Sequence, residues 1–117
     1  MLLLGIRTKL IQPRDDLVTI ILKAMNKQDL EIDDGDILAV ASKAMATVQN
    51  RLKRLSSVTP SEKAKKLARR YDLDPNFAEI VLQESERVYG GVSKALLTLK
   101  DHILTANAGV DQKNAPK

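Results

Sequence analysis

The sequence has no cysteine, no tryptophan, one histidine (His102) and only three aromatic residues, Tyr71, Phe77 and Tyr89. Without cysteine there is no disulfide framework, thiol nucleophile or thiolate zinc site, and a lone histidine excludes every motif that needs two. Each of the three aromatics suits a core position, which leaves no stacking platform for single-stranded nucleic acid. Long apolar runs are missing as well. Met1 to Leu4 is followed closely by Arg7 and Lys9, whereas a membrane-spanning helix needs about 20 apolar residues. No signal peptide is visible, and the cytoplasm is the expected location.

The composition is that of a folded protein. Of 117 residues, 44% are hydrophobic and 29% charged, which fits one globular domain over 1–117 and excludes disordered and collagen-like classes. The net charge of +4 is unevenly spread. Asp29, Glu31, Asp33, Asp34 and Asp36 form an acidic stretch without a base, whereas Arg51 to Arg70 holds eight bases against one acid, Glu62. Such a basic segment could attract phosphates, and a small basic nucleic-acid-binding protein is one reading. Its ordinary reading is a solvated helix face and a polar connector, and the shortage of aromatics argues against nucleic acid.

Along the chain, Leu2 to Ile6 reads as a short apolar strand and Pro13 as a turn. Asp15 and Asp16 can cap a helix whose Leu17, Ile20, Ile21, Ala24 and Met25 recur at helical spacing and which ends near Asn26 to Gln28. Asp34-Gly35 marks a turn, and Ile37 to Ala41 reads as a buried strand bounded by Ser42 and Lys43. Ala44 to Val48 is either an extension of that strand or a helical turn. Thr59-Pro60-Ser61-Glu62 has the form of a capping box, with Thr59 as cap. Behind it Ala64, Leu67, Ala68 and Tyr71 share one helical face. Asp74-Pro75 starts another helix, with Phe77, Ile80, Val81 and Val88 as its buried stripe and Gly90-Gly91 beyond its end. Val92 to Leu99 and Ile103 to Ala106 read as a hairpin turning at Lys100-Asp101-His102. Strands, then helices, then strands give an α+β fold, with a mixed or antiparallel sheet and three helices.

Chemistry is sparsely signalled. Glu84 and Glu86 are two apart and point in different directions on a helix. His102 sits in a turn, and there is no second histidine or cysteine to form a metal site with it. Gly90-Gly91 lacks the Gly-Lys-Ser/Thr of a phosphate loop. Asp111 stands out because it follows the small residues Asn107-Ala108-Gly109, where a ligand can approach closely, and one carboxylate suits a hard cation. It is an incomplete cage by itself.

Six fragments together carry a family resemblance: Ile6-Arg7-Thr8-Lys9-Leu10-Ile11, Asp15-Asp16-Leu17, Asp34-Gly35-Asp36-Ile37-Leu38, Pro60-Ser61-Glu62-Lys63-Ala64, Glu84-Ser85-Glu86-Arg87-Val88, and Ala106-Asn107-Ala108-Gly109-Val110-Asp111 with Asn114. In this order and spacing the chain resembles coenzyme F-420-0:L-glutamate ligases, the gamma-glutamyl ligases of deazaflavin cofactor synthesis. The resemblance implies the amino-terminal half of that fold and a GTP-dependent amide ligase acting on F-420-0 and L-glutamate with magnesium or manganese. It implies that Asp111 is a metal ligand, and that Thr8, Lys9, Leu10, Ile11, Ser42, Lys43 and Asn114 contact nucleotide. No residue is assigned to acid–base catalysis.

Two departures accompany the resemblance. Ala46 and Thr47 stand where the family usually has Ser-Lys, and family members are longer, with further metal-binding carboxylates in the unmatched part. The resemblance therefore leaves open a fragment, a truncated homologue or one subunit of a split enzyme. It also leaves open a homodimer, a complementing carboxy-terminal half, or a non-catalytic dimerisation or binding module of the same fold.

Overall fold

The computed structural model describes residues 1–112. It has an α+β arrangement with four α-helices and one three-stranded antiparallel sheet among the described residues. The chain divides into two compact units, Met1–Leu52 and Lys53–Lys117.

In the first unit, helix α1 spans Leu17–Asn26 and buries Ala24 and Met25. Asp16 caps it: its carboxylate accepts the Thr19 N–H at 3.2 Å and the Thr19 hydroxyl at 2.7 Å. The Asp34-Gly35 turn forms as expected, with the Asp36 N–H donating to the Asp33 carbonyl and Gly35 at a φ of 94°. The open question at Ala44 to Val48 resolves as helix α2, Ser42–Val48, one helix more than the sequence suggested. Neither expected strand forms. Leu2 to Ile6 and Ile37 to Ala41 have no regular secondary structure and belong to no ladder among the described residues, and Leu3 and Ile37 are more than nine-tenths exposed. An apolar run supplies the side chains of a strand, but only a hydrogen-bonding neighbour makes it one.

The second unit begins with a 3-10 turn at Leu55–Ser57, followed by α3, Glu62–Tyr71, and α4, Pro75–Glu84. The cap of α3 differs from expectation, because Ser61 and not Thr59 is the capping residue. The Ser61 hydroxyl accepts the Ala64 N–H at 3.2 Å. Both the Ser61 N–H and its hydroxyl donate to Glu79 Oε2, at 2.9 and 2.6 Å. The carboxylate that completes the cap thus comes from α4, while Glu62 pairs with Lys65 at 2.7 Å. Small side chains at Ala64, Ala68 and Ala78 form a buried cluster of α3 and α4. At α4, Asp74 and Pro75 play their expected parts, the Asp74 carboxylate accepting the N–H groups of Asn76 and Phe77.

Helix α4 stops at Glu84, well before Gly90-Gly91, and Val88 belongs to strand β1, Arg87–Val92, instead of the helical stripe. Ser85 is already extended, and the Glu86 N–H donates to the Leu99 carbonyl at 2.8 Å, which opens the ladder. Strand β2 spans Ala95–Lys100 and β3 spans Ile103–Ala106, in sheet order β1-β2-β3. The β2–β3 hairpin turns at Asp101 and His102, both at positive φ (48° and 62°) as a type I′ turn requires. The β1–β2 hairpin went unread in the sequence because its two glycines resemble a helix stop. Gly91 is there for clearance, since a Cβ would meet the Ala95 carbonyl at 2.5 Å and the Tyr71 ring at 3.2 Å.

Phe77 and Val81 of α4, Leu96 of β2 and Ala108 form the buried core, with Leu67, Tyr71, Val88 and Val110 packed around them. Leu96 and Thr98 are buried on the side of the sheet that meets α4, whereas Leu97 between them faces outward. No helix of the described residues is long and apolar enough to cross a membrane.

Candidate functional site

The segment leading to Asp111 has three consecutive residues at positive φ. Strand β3 ends at Ala106, and Asn107, Ala108 and Gly109 then take φ values of 52°, 52° and 73° in succession. Glycine adopts this left-handed conformation freely, but for an alanine it costs about 1–2 kcal/mol. Such strain persists only where the surroundings fix it. They do so here through side chains. Asn107 Oδ1 accepts the Leu96 N–H at 2.8 Å. The hydroxyl of fully buried Thr98 accepts the Ala108 N–H at 2.7 Å and donates to the Thr105 carbonyl at 2.7 Å. The Ala108 methyl group completes the core, and the Val110 N–H closes the turn on the Asn107 carbonyl at 2.8 Å. Exposed Asp111 follows this immobilised turn directly.

Beside the turn lies a pocket of about 280 Å³. Phe77, Leu73 and Val110 give it apolar walls, and Asp72, Lys94 and Asn107 supply polar groups. Asp72 and Lys94 are themselves at positive φ and form a loose ion pair at 4.0 Å. The Lys94 N–H is fixed to the Tyr71 carbonyl at 2.6 Å. The pocket brings a cation, carboxylates and an amide together beside these apolar side chains.

The other expected site residues lie in the first unit. Thr8 to Leu10 are exposed, and Ile11 is half-buried. The Lys9 ammonium sits 2.9 Å from Asp15, whose carboxylate also accepts the Gln12 N–H at 2.9 Å. The Gln12 amide first, and then Lys9, hold the Asp15 carboxyl below its ordinary pKa. The loop thus carries an internal ion pair at the foot of α1. Ser42 and Lys43, expected at the end of a strand, are instead the first residues of α2. Ser42 is exposed, Lys43 is half-buried, and the Lys43 carbonyl accepts the Thr47 hydroxyl at 2.8 Å. Asn114 lies outside the described residues.

One positioning residue was missed by sequence reasoning. The Gln28 side-chain amide both accepts the Arg7 N–H and donates to the Arg7 carbonyl, each at 3.3 Å, while also donating to the Ala24 carbonyl at 2.7 Å. It pins the residue before the Thr8 loop to the end of α1. A glutamine just past a helix carries no local signal of such a partner 21 residues away.

For a divalent cation, Asp111 could supply one hard oxygen ligand, of the kind that magnesium or manganese takes. No group of three His, Cys, Asp or Glu side chains that could hold a metal occurs among the described residues. Water and ligand phosphates would have to supply the remaining positions. Glu84, weighed earlier as a catalytic carboxylate, is engaged with Lys100 at 2.8 Å and Lys53 at 3.7 Å. His102 is an exposed turn residue.

Comparison with known proteins adds to this geometry. A family model described as F420-0:Gamma-glutamyl ligase matches residues 5–117. A coenzyme F420:L-glutamate ligase from Methanopyrus kandleri is 34% identical over 107 residues, which is 91% of this chain and 40% of that protein. Proteins of the same name from Archaeoglobus fulgidus and Methanosarcina mazei are 34% and 33% identical over 105 residues, or 90% of this chain. The chain spans about 40% of the length of these curated relatives.

Proposed function

Because the chain belongs to the F420-0:gamma-glutamyl ligase family, we propose that it supplies nucleotide- and metal-binding elements of an amide-forming ligase in coenzyme F-420 biosynthesis. The reaction of this reading joins L-glutamate to F-420-0 in the cytoplasm, driven by GTP. A carboxylate oxygen of F-420-0 attacks the γ-phosphorus of GTP and releases GDP. The amino nitrogen of L-glutamate then attacks the activated carbonyl carbon, phosphate departs, and the nitrogen loses a proton. A bound magnesium or manganese ion would neutralise phosphate charge during the transfer.

This chain's own residues have positioning roles in that scheme. Asp111 offers a carboxylate oxygen to the cation from a turn that cannot shift without breaking the Thr98 and Asn107 hydrogen bonds. Lys43 supplies positive charge, and Thr8 to Ile11 and Ser42 supply main-chain and hydroxyl groups to the nucleotide. Asn114 has a nucleotide contact in the same reading. The observation that carries the proposal is the family match over 5–117, with its most distinctive segment folded as a rigid turn in front of Asp111.

A calorimetric titration with GDP, with and without manganese, tests it. Saturable heat that requires manganese and disappears in Asp111→Ala is the expected result. Equal affinity in Asp111→Ala would remove the metal-ligand role. Ala46 and Thr47, in place of the family's Ser-Lys, favour a second reading as a non-catalytic binding module, partnered by another copy or a complementing chain. Folded protein that gives no heat with either addition would select that reading.

A further inference from the structure

The pocket beside the Asn107–Gly109 turn draws its polar groups from three separate connections of the second unit. Asp72 and Asp74 come from the link between α3 and α4, Lys94 from the β1–β2 turn, and Asn107 from the turn after β3. Asp72, Lys94 and Asn107 stand at positive φ, at 53°, 66° and 52°. Aspartate and asparagine accept that conformation readily, whereas lysine adopts it rarely. Here the surroundings impose it. The Lys94 N–H donates to the Tyr71 carbonyl at 2.6 Å, which docks the β1–β2 turn on the end of α3. Backbone strain held in this way gathers at positions that hold ligands.

The charges of the pocket are of both signs and incompletely matched. Lys94 Nζ is 4.0 Å from Asp72 Oδ2, with both side chains more than three-quarters exposed, whereas a charge-assisted hydrogen bond is ~2.7–2.9 Å long. A ligand carboxylate against Lys94 and a ligand ammonium against Asp72 would each make a closer contact than the present pair. Asn107 adds a second donor for the carboxylate, because its oxygen accepts the Leu96 N–H at 2.8 Å and its amide nitrogen remains to donate. Asp74 commits Oδ1 to the N–H groups of Asn76 and Phe77, so its role there is chiefly to cap α4. Leu73, Phe77 and Val110 offer apolar contact to a short aliphatic stem. The volume of about 280 Å³ lies below the ~300–1,000 Å³ of pockets that hold drug-sized ligands. A whole nucleotide is therefore too large, and the two carboxylates would repel its phosphates.

We infer that this pocket is a binding site for a free α-amino acid, with its carboxylate held by Lys94 and Asn107 and its ammonium by Asp72. The identity of that amino acid, L-glutamate, rests on the ligase reading above. The placement suits that reading, because Val110 and Gln112, on either side of Asp111 in the chain, both line the pocket. One short segment thus carries the proposed cation ligand and a wall of the amino-acid site.

NMR of the isotope-labelled full chain tests it. Millimolar L-glutamate is expected to shift the amide signals of Asp72, Lys94 and Asn107 along one saturating curve. Glutarate, which has both carboxylates but no ammonium, should bind about tenfold more weakly or worse, and Lys94→Ala and Asp72→Asn should each raise the L-glutamate dissociation constant about tenfold, as the loss of one charge-assisted hydrogen bond predicts. Both substitutions fall at exposed turn positions, and the amide spectrum of each variant reports whether it is folded. The inference is overturned if L-glutamate shifts only signals elsewhere, if glutarate binds as well as L-glutamate, or if either substitution leaves the affinity unchanged. The manganese-dependent GDP titration on the same unsubstituted protein separates the two claims. Heat with GDP but no response to L-glutamate overturns the amino-acid site and leaves the ligase reading standing. Saturation of the pocket signals by L-glutamate without heat from GDP supports the site and removes the nucleotide part of that reading.

Discussion

The two units received similar apolar patterning and used it differently. In the first, Leu2 to Ile6 and Ile37 to Ala41 have strand composition but no ladder among the described residues, and Leu3 and Ile37 remain almost fully exposed. In the second, Ala95 to Lys100 finds a neighbour on each side, and Leu96 and Thr98 become fully buried. The difference lies in the connections. Two-residue turns bring β1, β2 and β3 into register with little loss of chain entropy, whereas 30 residues, including α1, separate Ile6 from Ile37. Composition sets what a segment can do, and the nearest available partner decides whether it does it.

The largest expected effect is a direct challenge to that contrast. Leu96→Ala should destabilise the second unit by about 2–5 kcal/mol, while Ile37→Ala, at a 93% exposed side chain, should change stability by less than about 0.5 kcal/mol. Both tyrosines, Tyr71 and Tyr89, lie in the second unit, so tyrosine fluorescence in a urea titration reads Leu96→Ala, while amide exchange in α1 reads Ile37→Ala in the first unit. A large loss in Ile37→Ala would show that the segment is packed after all.

Next in size is Thr98→Val, which keeps shape but leaves the Ala108 N–H without its acceptor. A loss of about 1–3 kcal/mol is expected, with accelerated amide exchange at Ala108 and Thr98→Ser recovering most of it. If exchange at Ala108 is unchanged, the hydroxyl is not what holds the strained turn.

The smallest effects are acid-sensitive and separate the units by titration. The Thr19 hydroxyl holds the Asp16 carboxyl below its ordinary 3.8, and the Ser61 hydroxyl holds that of Glu79 below 4.5. Each folded-state value is lower than the unfolded one, so each contribution is complete above the ordinary value and fades as pH falls through the folded value. Asp16→Asn should therefore flatten the acid limb of α1 unfolding, and Glu79→Gln that of α3 and α4. Helix signals followed by NMR between pH 6 and pH 2 distinguish them, and an unchanged acid limb in Glu79→Gln would remove its capping role.

Local signals were legible where they were self-sufficient. Asp16 and Asp74 cap with their own following amides, and Asp101-His102 turns a hairpin within two residues. What the sequence concealed depends on distant partners. Ser61 displaces Thr59 as cap because Glu79, 18 residues on, reaches back to it. Val88 leaves the helical stripe because Leu99 captures the chain at Glu86. At the candidate site, the small residues before Asp111 marked the segment, but Ala108 gives no hint of its left-handed backbone, which Thr98 and Asn107 impose.

That turn also bears on how the second unit assembles. Contacts between its elements mostly join neighbours or next neighbours along the chain: α3 with α4, β1 with β2, β2 with β3 and with the Asn107–Gly109 turn. The contact of α4 with that turn spans a longer stretch of chain and is made where Ala108 meets Phe77 and Val81. Near-neighbour contacts form early and cheaply, and the longer closure bears more loop entropy. Ala108 therefore ties the end of the hairpin to α4 across the length of the unit. A ligand that grips Asp111 would favour the state in which this tie is made, extending the lifetime of the folded core.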